Sequence, residues 1–143
     1  MPGYQKLLVV LDLSHDSEQV AIAARDLAAY SKAKIVALHV VEFVPIEPMG
    51  ESLMPTVQIE EDLIKRSRDK LSELAAQLGL VGADVRVEAG NIKAEILRTA
   101  AEVGADLIVV GSRERHGLAI LVNFTEDAVL HAARCDVLAV RLR

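Results

Sequence analysis

The stretch Lys6-Leu7-Leu8-Val9-Val10-Leu11-Asp12-Leu13-Ser14 decides the fold of this chain. Residues 6–11 form an apolar run after the first lysine, too short for an ordinary helix, which is typical of a strand buried on both faces. The polar residues after it predict a turn. Asp16 and Gln19 then predict the capped start of a helix that reaches about Tyr30.

The rest of the chain repeats this alternation of strand and helix. Strands are predicted at 35–41, 84–88, 107–110 and 137–140, and helices at 59–79, 92–103 and 123–133. Segment 84–88 alternates polar and apolar residues, which indicates a strand at a sheet edge. Residues 43–55 contain three prolines and no regular period, which predicts a long surface loop.

The alternation predicts an α/β fold with a single open parallel five-stranded sheet, strand order 3-2-1-4-5 and helices on both faces. In such a sheet the crevice lies beyond the carboxyl ends of the strands where the order reverses, here between the first and fourth strands. That position brings together Asp12, Leu13, Ser14, Gly111, Ser112 and Arg113.

Length, charge and composition exclude several classes of protein. The 143 residues suit one domain spanning 1–143, and no apolar run approaches the roughly 20 residues of a membrane-spanning helix. The first residues lack a signal-peptide pattern, so we expect a cytoplasmic protein. A net charge of −5 argues against nucleic-acid binding, and the single cysteine excludes an internal disulfide.

Four stretches together resemble the universal stress protein family across essentially the whole chain. They are residues 10–14 after the first strand, 39–41 ending the second, 106–113 around the fourth, and 129–138 near the end. The resemblance implies a Rossmann-like, adenine-nucleotide alpha-hydrolase-like fold. It also implies a homodimer through antiparallel pairing of the last strands, consistent with the apolar edge residues Val137, Leu138, Ala139, Val140 and Leu142.

Nucleotide-binding members of that family carry a glycine signature that holds the phosphates of ATP. It reads Gly, two residues, Gly, about nine residues, then Gly followed by Ser or Thr. Here Gly111 matches the first glycine, but Glu114 replaces the second. The final pair becomes either Asn123 and Phe124 or Phe124 and Thr125, so we expect no tight ATP binding and no cofactor. The signature positions Asn123, Phe124 and Thr125, the six residues at the ends of the first and fourth strands, and Val41 together define a residual nucleotide crevice. The alternative to the absence of a cofactor is that ATP binds in this crevice.

Several titratable residues have two interpretations. Asp12 can contact a ribose or adenine, as the resemblance implies, and can also tie down the turn after the first strand, and both roles can hold together. His39 is predicted to be a hydrogen-bonded core histidine rather than a metal ligand, and Cys135 a small buried side chain rather than a reactive thiol. His15 and His131 show no metal-ligand spacing, and His116 lies in a segment of mixed charge expected to be solvated.

These observations predict a non-catalytic stress-response module that acts as a homodimer. No positioned base, metal-binding acid pair or intact phosphate-binding loop is apparent in the sequence. The alternatives are an ATP- or AMP-binding regulatory switch of the same family and an adaptor for a membrane protein.

Overall fold

The computed structural model describes residues 3–42, 54–80, 82–112 and 125–143, without the side chains of 54–58 and 125–127. Strands and helices alternate along these residues. The strands are β1 (Lys6–Val10), β2 (Lys34–Glu42), β3 (Asp84–Gly90), β4 (Leu107–Ser112) and β5 (Asp136–Arg141). The helices are α1 (Ser17–Ser31), α2 (Met54–Gln77), α3 (Ile92–Val103) and α4 (Thr125–Ala132).

All five strands are parallel and lie in the order β3-β2-β1-β4-β5, as the sequence predicts. The central strand β1 pairs with β2 and with β4, so Leu8 lies beside both Val36 and Ile108. Leu7, Leu8 and Val9 are completely buried, which explains why the sequence there is continuously apolar.

A helical layer covers each face of the sheet. Leu7 and Val9 of β1 pack with α1 and α2, whereas Leu8 packs with α3 and α4. The α1 face is built from small side chains, including Ala21, Ala24 and Ala28, which let that helix approach the sheet closely. The two apolar layers fix the sheet, and the sheet in turn fixes the residues at its strand ends.

The ends of α3 agree with the sequence, whereas the cap predicted for α1 does not. Gly104 closes α3 with a left-handed backbone, φ 70°, and Asn91 Oδ1 caps the same helix by accepting from Ala94 N at 2.9 Å. Helix α1 begins after Asp16 as predicted, but the capping box is wrong, because Asp16 has a helical backbone and makes no side-chain cap hydrogen bond. Its Oδ1 instead accepts from Gln19 Nε2 at 3.4 Å.

Helix α2 starts earlier than predicted. The loop predicted over 43–55 lies largely outside the described residues, but Met54 and Pro55 belong to α2. Proline is tolerated in a first helical turn, because the N–H that it lacks has no partner there. The helix ends as predicted near Gly79, whose φ is 70°, and Leu80 N donates to Ala75 O at 2.9 Å.

The buried hydroxyl of Thr99 provides a test of the packing between α3 and the sheet. Thr99 is fully buried, and its Oγ1 has no hydrogen-bond partner within the described part of the chain. We expect Thr99→Val, which keeps the shape and removes the unpaired hydroxyl, to raise the free energy of unfolding by about 1 kcal/mol in urea titrations. Thr99→Ala, which also leaves a cavity, should lower it. A less stable valine variant would contradict this account.

Candidate functional site

The carboxyl end of β1 is held by the side chain of Asp12. Its Oδ1 accepts hydrogen bonds from Ser14 N at 2.9 Å, Ser14 Oγ at 2.6 Å and Ser17 Oγ at 2.8 Å. Ser17 is buried and begins α1, so the carboxylate joins the end of the strand to the start of the helix. Of the two interpretations of Asp12, the structure therefore shows the one in which it ties down the turn.

Leu13, inside that turn, has an unusual backbone. Its φ is 63°, in the left-handed region that a branched side chain rarely adopts. The half-buried leucine side chain packs against the core on the α1 and α2 face. Such a conformation costs about 1–2 kcal/mol, which the hydrogen bonds to Asp12 and the packing must offset.

His39 supports the same turn from the neighbouring strand. Its Nδ1 lies 2.7 Å from Leu11 O, and because a carbonyl only accepts, Nδ1 carries the proton. Leu11 N in turn donates to Leu38 O at 2.9 Å, extending the pairing beyond the end of β1. The prediction of a hydrogen-bonded histidine is confirmed, although the ring is only partly buried.

Gly111 and Ser112, at the end of β4, form the other side of the crevice. A Cβ on Gly111 would lie 3.1 Å from Leu142 Cδ1 and 3.1 Å from Val20 Cγ2. Close packing therefore favours glycine here whether or not a phosphate binds, because a larger residue would have to push these two side chains aside by a few tenths of an ångström. Val41 is buried in the same apolar cluster as Leu13.

The remaining predicted crevice positions lie outside the described residues. These are Arg113, Asn123 and Phe124, together with the side chain of Thr125. Glu114 and His116 lie outside them as well. What the structure brings together is thus the Asp12 turn, the end of β4 and the residues Leu142 and Arg143 that follow β5.

Comparison with known proteins places this geometry in a family. A family model described as the universal stress protein family matches residues 3–141. This chain belongs to that family. Universal stress protein A homolog 2 of Coxiella burnetii is 36% identical over 100% of this chain and 99% of the relative. Homolog 1 of the same organism is 33% identical over 98% of each.

A solved relative shares the fold. The crystal structure of a universal stress protein in complex with cAMP superposes with a TM-score of 0.76, is 23% identical, and covers 99% of each chain. Identity at this level shows a common fold alone.

The amino ends of the strands in this universal stress protein carry a second set of polar contacts. Asp106, just before β4, accepts from Gln5 N at 2.9 Å and from Lys6 N at 3.0 Å. Burial alone would raise the pKa of Asp106, but hydrogen bonds from the backbone of Gln5, Lys6 and Asp106 itself hold that pKa below its ordinary value. This carboxylate links the start of β1 to the start of β4.

Cys135, nearby, is an unreactive thiol. Burial, followed by the charges of Asp136 and Asp106, raises the pKa of the Cys135 thiol, so little thiolate forms at neutral pH. Tyr4 Oη donates to Asp136 Oδ2 at 2.7 Å, and this hydrogen bond is the main cause of the raised pKa of Tyr4. The interpretation of Cys135 as a packing residue is supported.

The two sheet edges of this family member differ in character. At the β3 edge, Arg86 and Arg98 make salt bridges to Glu88, Glu95 and Glu102 at 2.7–3.2 Å. At the β5 edge the large apolar side chains Leu130 and Leu138 are exposed. They line a groove of about 440 Å³ together with Tyr4, Leu27, Leu107, Cys135, Asp136 and Val137.

Across residues 3–42, 54–80, 82–112 and 125–143, no group of three or more His, Cys, Asp or Glu side chains is arranged to hold a metal ion. Over those same residues, no helix is both long and apolar enough to cross a membrane.

Sequence reasoning missed two contacts near the predicted crevice. Ser17 bonds Asp12, and Gln19 and Arg143 bond each other. A serine five residues after a strand-end aspartate is a usable local signal, because a side chain at a helix start can bond the preceding turn. The contact between Gln19 and Arg143 spans 124 residues and leaves no local pattern.

Proposed function

We propose that this universal stress protein is a non-catalytic stress-response module that acts as a cytoplasmic homodimer and does not bind ATP tightly. The observation that carries the proposal is that the carboxylate of Asp12 is already hydrogen-bonded within the protein. Asp12 Oδ1 already accepts three hydrogen bonds from its own turn and from α1. A nucleotide that used this oxygen would have to displace at least one of these donors.

The sequence of the phosphate-binding segment adds to this argument. Glu114 brings a negative side chain to a position where nucleotide-binding relatives have glycine, and Coulomb repulsion there opposes a triphosphate. Phe124 is bulky at a position where those relatives have glycine or a small hydroxyl residue. Both changes reduce the access of backbone N–H groups to an anion.

Calorimetric titration with ATP tests this proposal. We expect the triple variant Glu114→Gly, Asn123→Gly and Phe124→Ser to bind ATP at least about tenfold more tightly than the unchanged protein. The matched control is Glu114→Gln, Asn123→Ala and Phe124→Leu, which removes the charge but keeps bulk and backbone restriction, and it should gain less. Micromolar binding by the unchanged protein would contradict the proposal.

The second candidate is a nucleotide-binding regulatory switch. Its support is the cAMP complex of a solved relative and the retention of Gly111 and Val41 in this chain. Extraction and mass spectrometry of small molecules from protein purified out of cells separates the two candidates. A stoichiometric adenine nucleotide would favour the switch, and its absence would favour the module.

A non-catalytic role is supported by the roles of the titratable groups near the crevice. Asp12 accepts from Ser14 N and His39 donates to Leu11 O, so both side chains are engaged in hydrogen bonds that hold the backbone. A general base must instead be within reach of a substrate proton. We expect no ATP hydrolysis above the uncatalysed rate.

The proposed homodimer forms through β5. Among the described residues, this strand ends the sheet next to β4, and no strand pairs with its outer edge. Leu130 of α4 and Leu138 of β5 add exposed apolar surface there, whereas at the opposite end of the sheet the salt bridges of Arg86 and Arg98 lie on β3 and α3. Antiparallel pairing with a second copy would close both β5 edges at once.

A further inference from the structure

The first turn of α1 contacts both the crevice and the end of the sheet. Ser17 Oγ donates to Asp12 Oδ1 at 2.8 Å. Two residues later, the side-chain amide of Gln19 forms a reciprocal pair with the backbone of Arg143. Gln19 Nε2 donates to Arg143 O at 3.2 Å, and Arg143 N donates to Gln19 Oε1 at 3.1 Å.

Leu142 is fixed beside this pair by two further contacts. Leu142 N donates to Ser112 O at 2.8 Å, which continues the pairing of β4 with β5. Its side chain and that of Val20 both pack against Gly111. The residues following β5 are therefore held by α1 on one side and by the end of β4 on the other.

The turn between β1 and α1 is held in its present shape by Asp12. Leu13 is strained at φ 63°, and the three hydrogen bonds to Asp12 help to hold it there. If Asp12 is drawn away, Leu13 can relax to a more favourable backbone. The Ser17 hydroxyl would then lose its partner, and the first turn of α1 would depend more on its backbone hydrogen bonds, from Ser17 N to Ser14 O at 3.0 Å and from Gln19 N to Asp16 O at 3.1 Å. A turn held by fewer contacts would let Gln19 shift more easily.

We propose that the first turn of α1 couples the Asp12 turn to the end of β5, with Gln19 as the positioning residue. Binding at the crevice would change the order of Leu142 and Arg143, and with it the edge offered for dimerisation. Coupling between two sites is reciprocal, so a change at Arg143 must also reach the Asp12 turn. The functional meaning rests on the proposed function, but the coupling itself is measurable without ligand or dimer.

Residue-resolved amide hydrogen exchange tests the coupling in both directions. Gln19→Leu keeps the side-chain size and removes the amide, and we expect it to speed exchange about tenfold at Arg143 N and also at Ser14 N. Ser17→Ala should speed exchange at Ser14 N and at Leu142 N. The matched control Gln77→Leu, at the exposed end of α2, should change none of these amides.

The outcomes separate this inference from the proposed function. Faster exchange only at the amides next to the substituted residue would overturn the coupling. Equal acceleration throughout the protein would overturn it as well, and Ala94 N in α3 is the reference amide for that comparison. The exchange result does not depend on ATP affinity or dimer mass. A protein that binds ATP tightly or stays monomeric can therefore still show the coupling, and a dimer without ATP can lack it.

Discussion

Replacing Ala139 by proline is expected to convert the proposed dimer to monomers, with dimerisation weakened at least about 100-fold, equivalent to about 2.7 kcal/mol. Leu142 N points to β4, where it donates to Ser112 O. Successive backbone N–H groups of a strand point to opposite sides, so those of Val140 and Leu138 also point to β4. The N–H of Ala139 therefore points to the outer edge of β5. Proline at 139 therefore removes an outward N–H without breaking the pairing with β4.

The measurement is the mass in solution by light scattering at tens of micromolar protein. Ala139→Ser is the matched control, because it is small and keeps the N–H, and it should retain the dimer. Circular dichroism of the proline variant checks that the monomer is folded. If the unchanged protein is a monomer, the proposed dimer is rejected. If the proline variant is as dimeric as the unchanged protein, the dimer does not form through the backbone of β5.

Much of the fold could be predicted because the pattern was strong where burial is complete. Residues 7–9 and 107–110 are apolar without interruption, and the structure buries every one of them. Alternating elements with right-handed connections then leave few possible strand orders. The errors are at helix ends. At Asp16 the predicted side-chain cap is missing, and at Met54 a helix begins in a stretch assigned to a loop, because proline suits a loop and a first helical turn alike.

The candidate site was predictable in position but only partly in its bonding. Strand order alone brings the Asp12 turn close to Gly111, so both were identified. The partner of His39 is Leu11, 28 residues away, and requires the register of β1 against β2. The contact of Gln19 with Arg143 requires the complete fold, because it joins the start of α1 to the end of the sheet.

Removing the Asp106 carboxylate is expected to give the largest loss of stability from a single polar group. It accepts from two backbone N–H groups, Gln5 N and Lys6 N, at the start of the central strand. Hydrogen bonds to a charged acceptor contribute more than neutral ones, so Asp106→Ala should lower the free energy of unfolding by about 2–3 kcal/mol at neutral pH. Asp106→Asn should lose less, because one acceptor oxygen remains.

The loss should depend on pH in a defined direction. The pKa of Asp106 is lowered in the folded protein, so its stabilisation is complete above the ordinary aspartate pKa of about 3.9. As pH falls below that value, the unfolded chain takes up the proton first. The stabilisation then declines as pH falls through the folded-state pKa. The difference between the unchanged protein and Asp106→Asn should therefore narrow from pH 7 to pH 3.

Urea titrations at fixed protein concentration measure this difference, because a dimer would make stability depend on concentration. The matched control is Asp62→Asn, an exposed aspartate on α2, which should change stability by less than about 0.5 kcal/mol. A difference for Asp106→Asn that stays constant with pH would mean that the charge is not what stabilises the strand start. A difference that widens at low pH would reverse the assigned sign of the pKa shift. Either outcome would mean that packing, and not the charge of Asp106, holds the amino ends of β1 and β4 together.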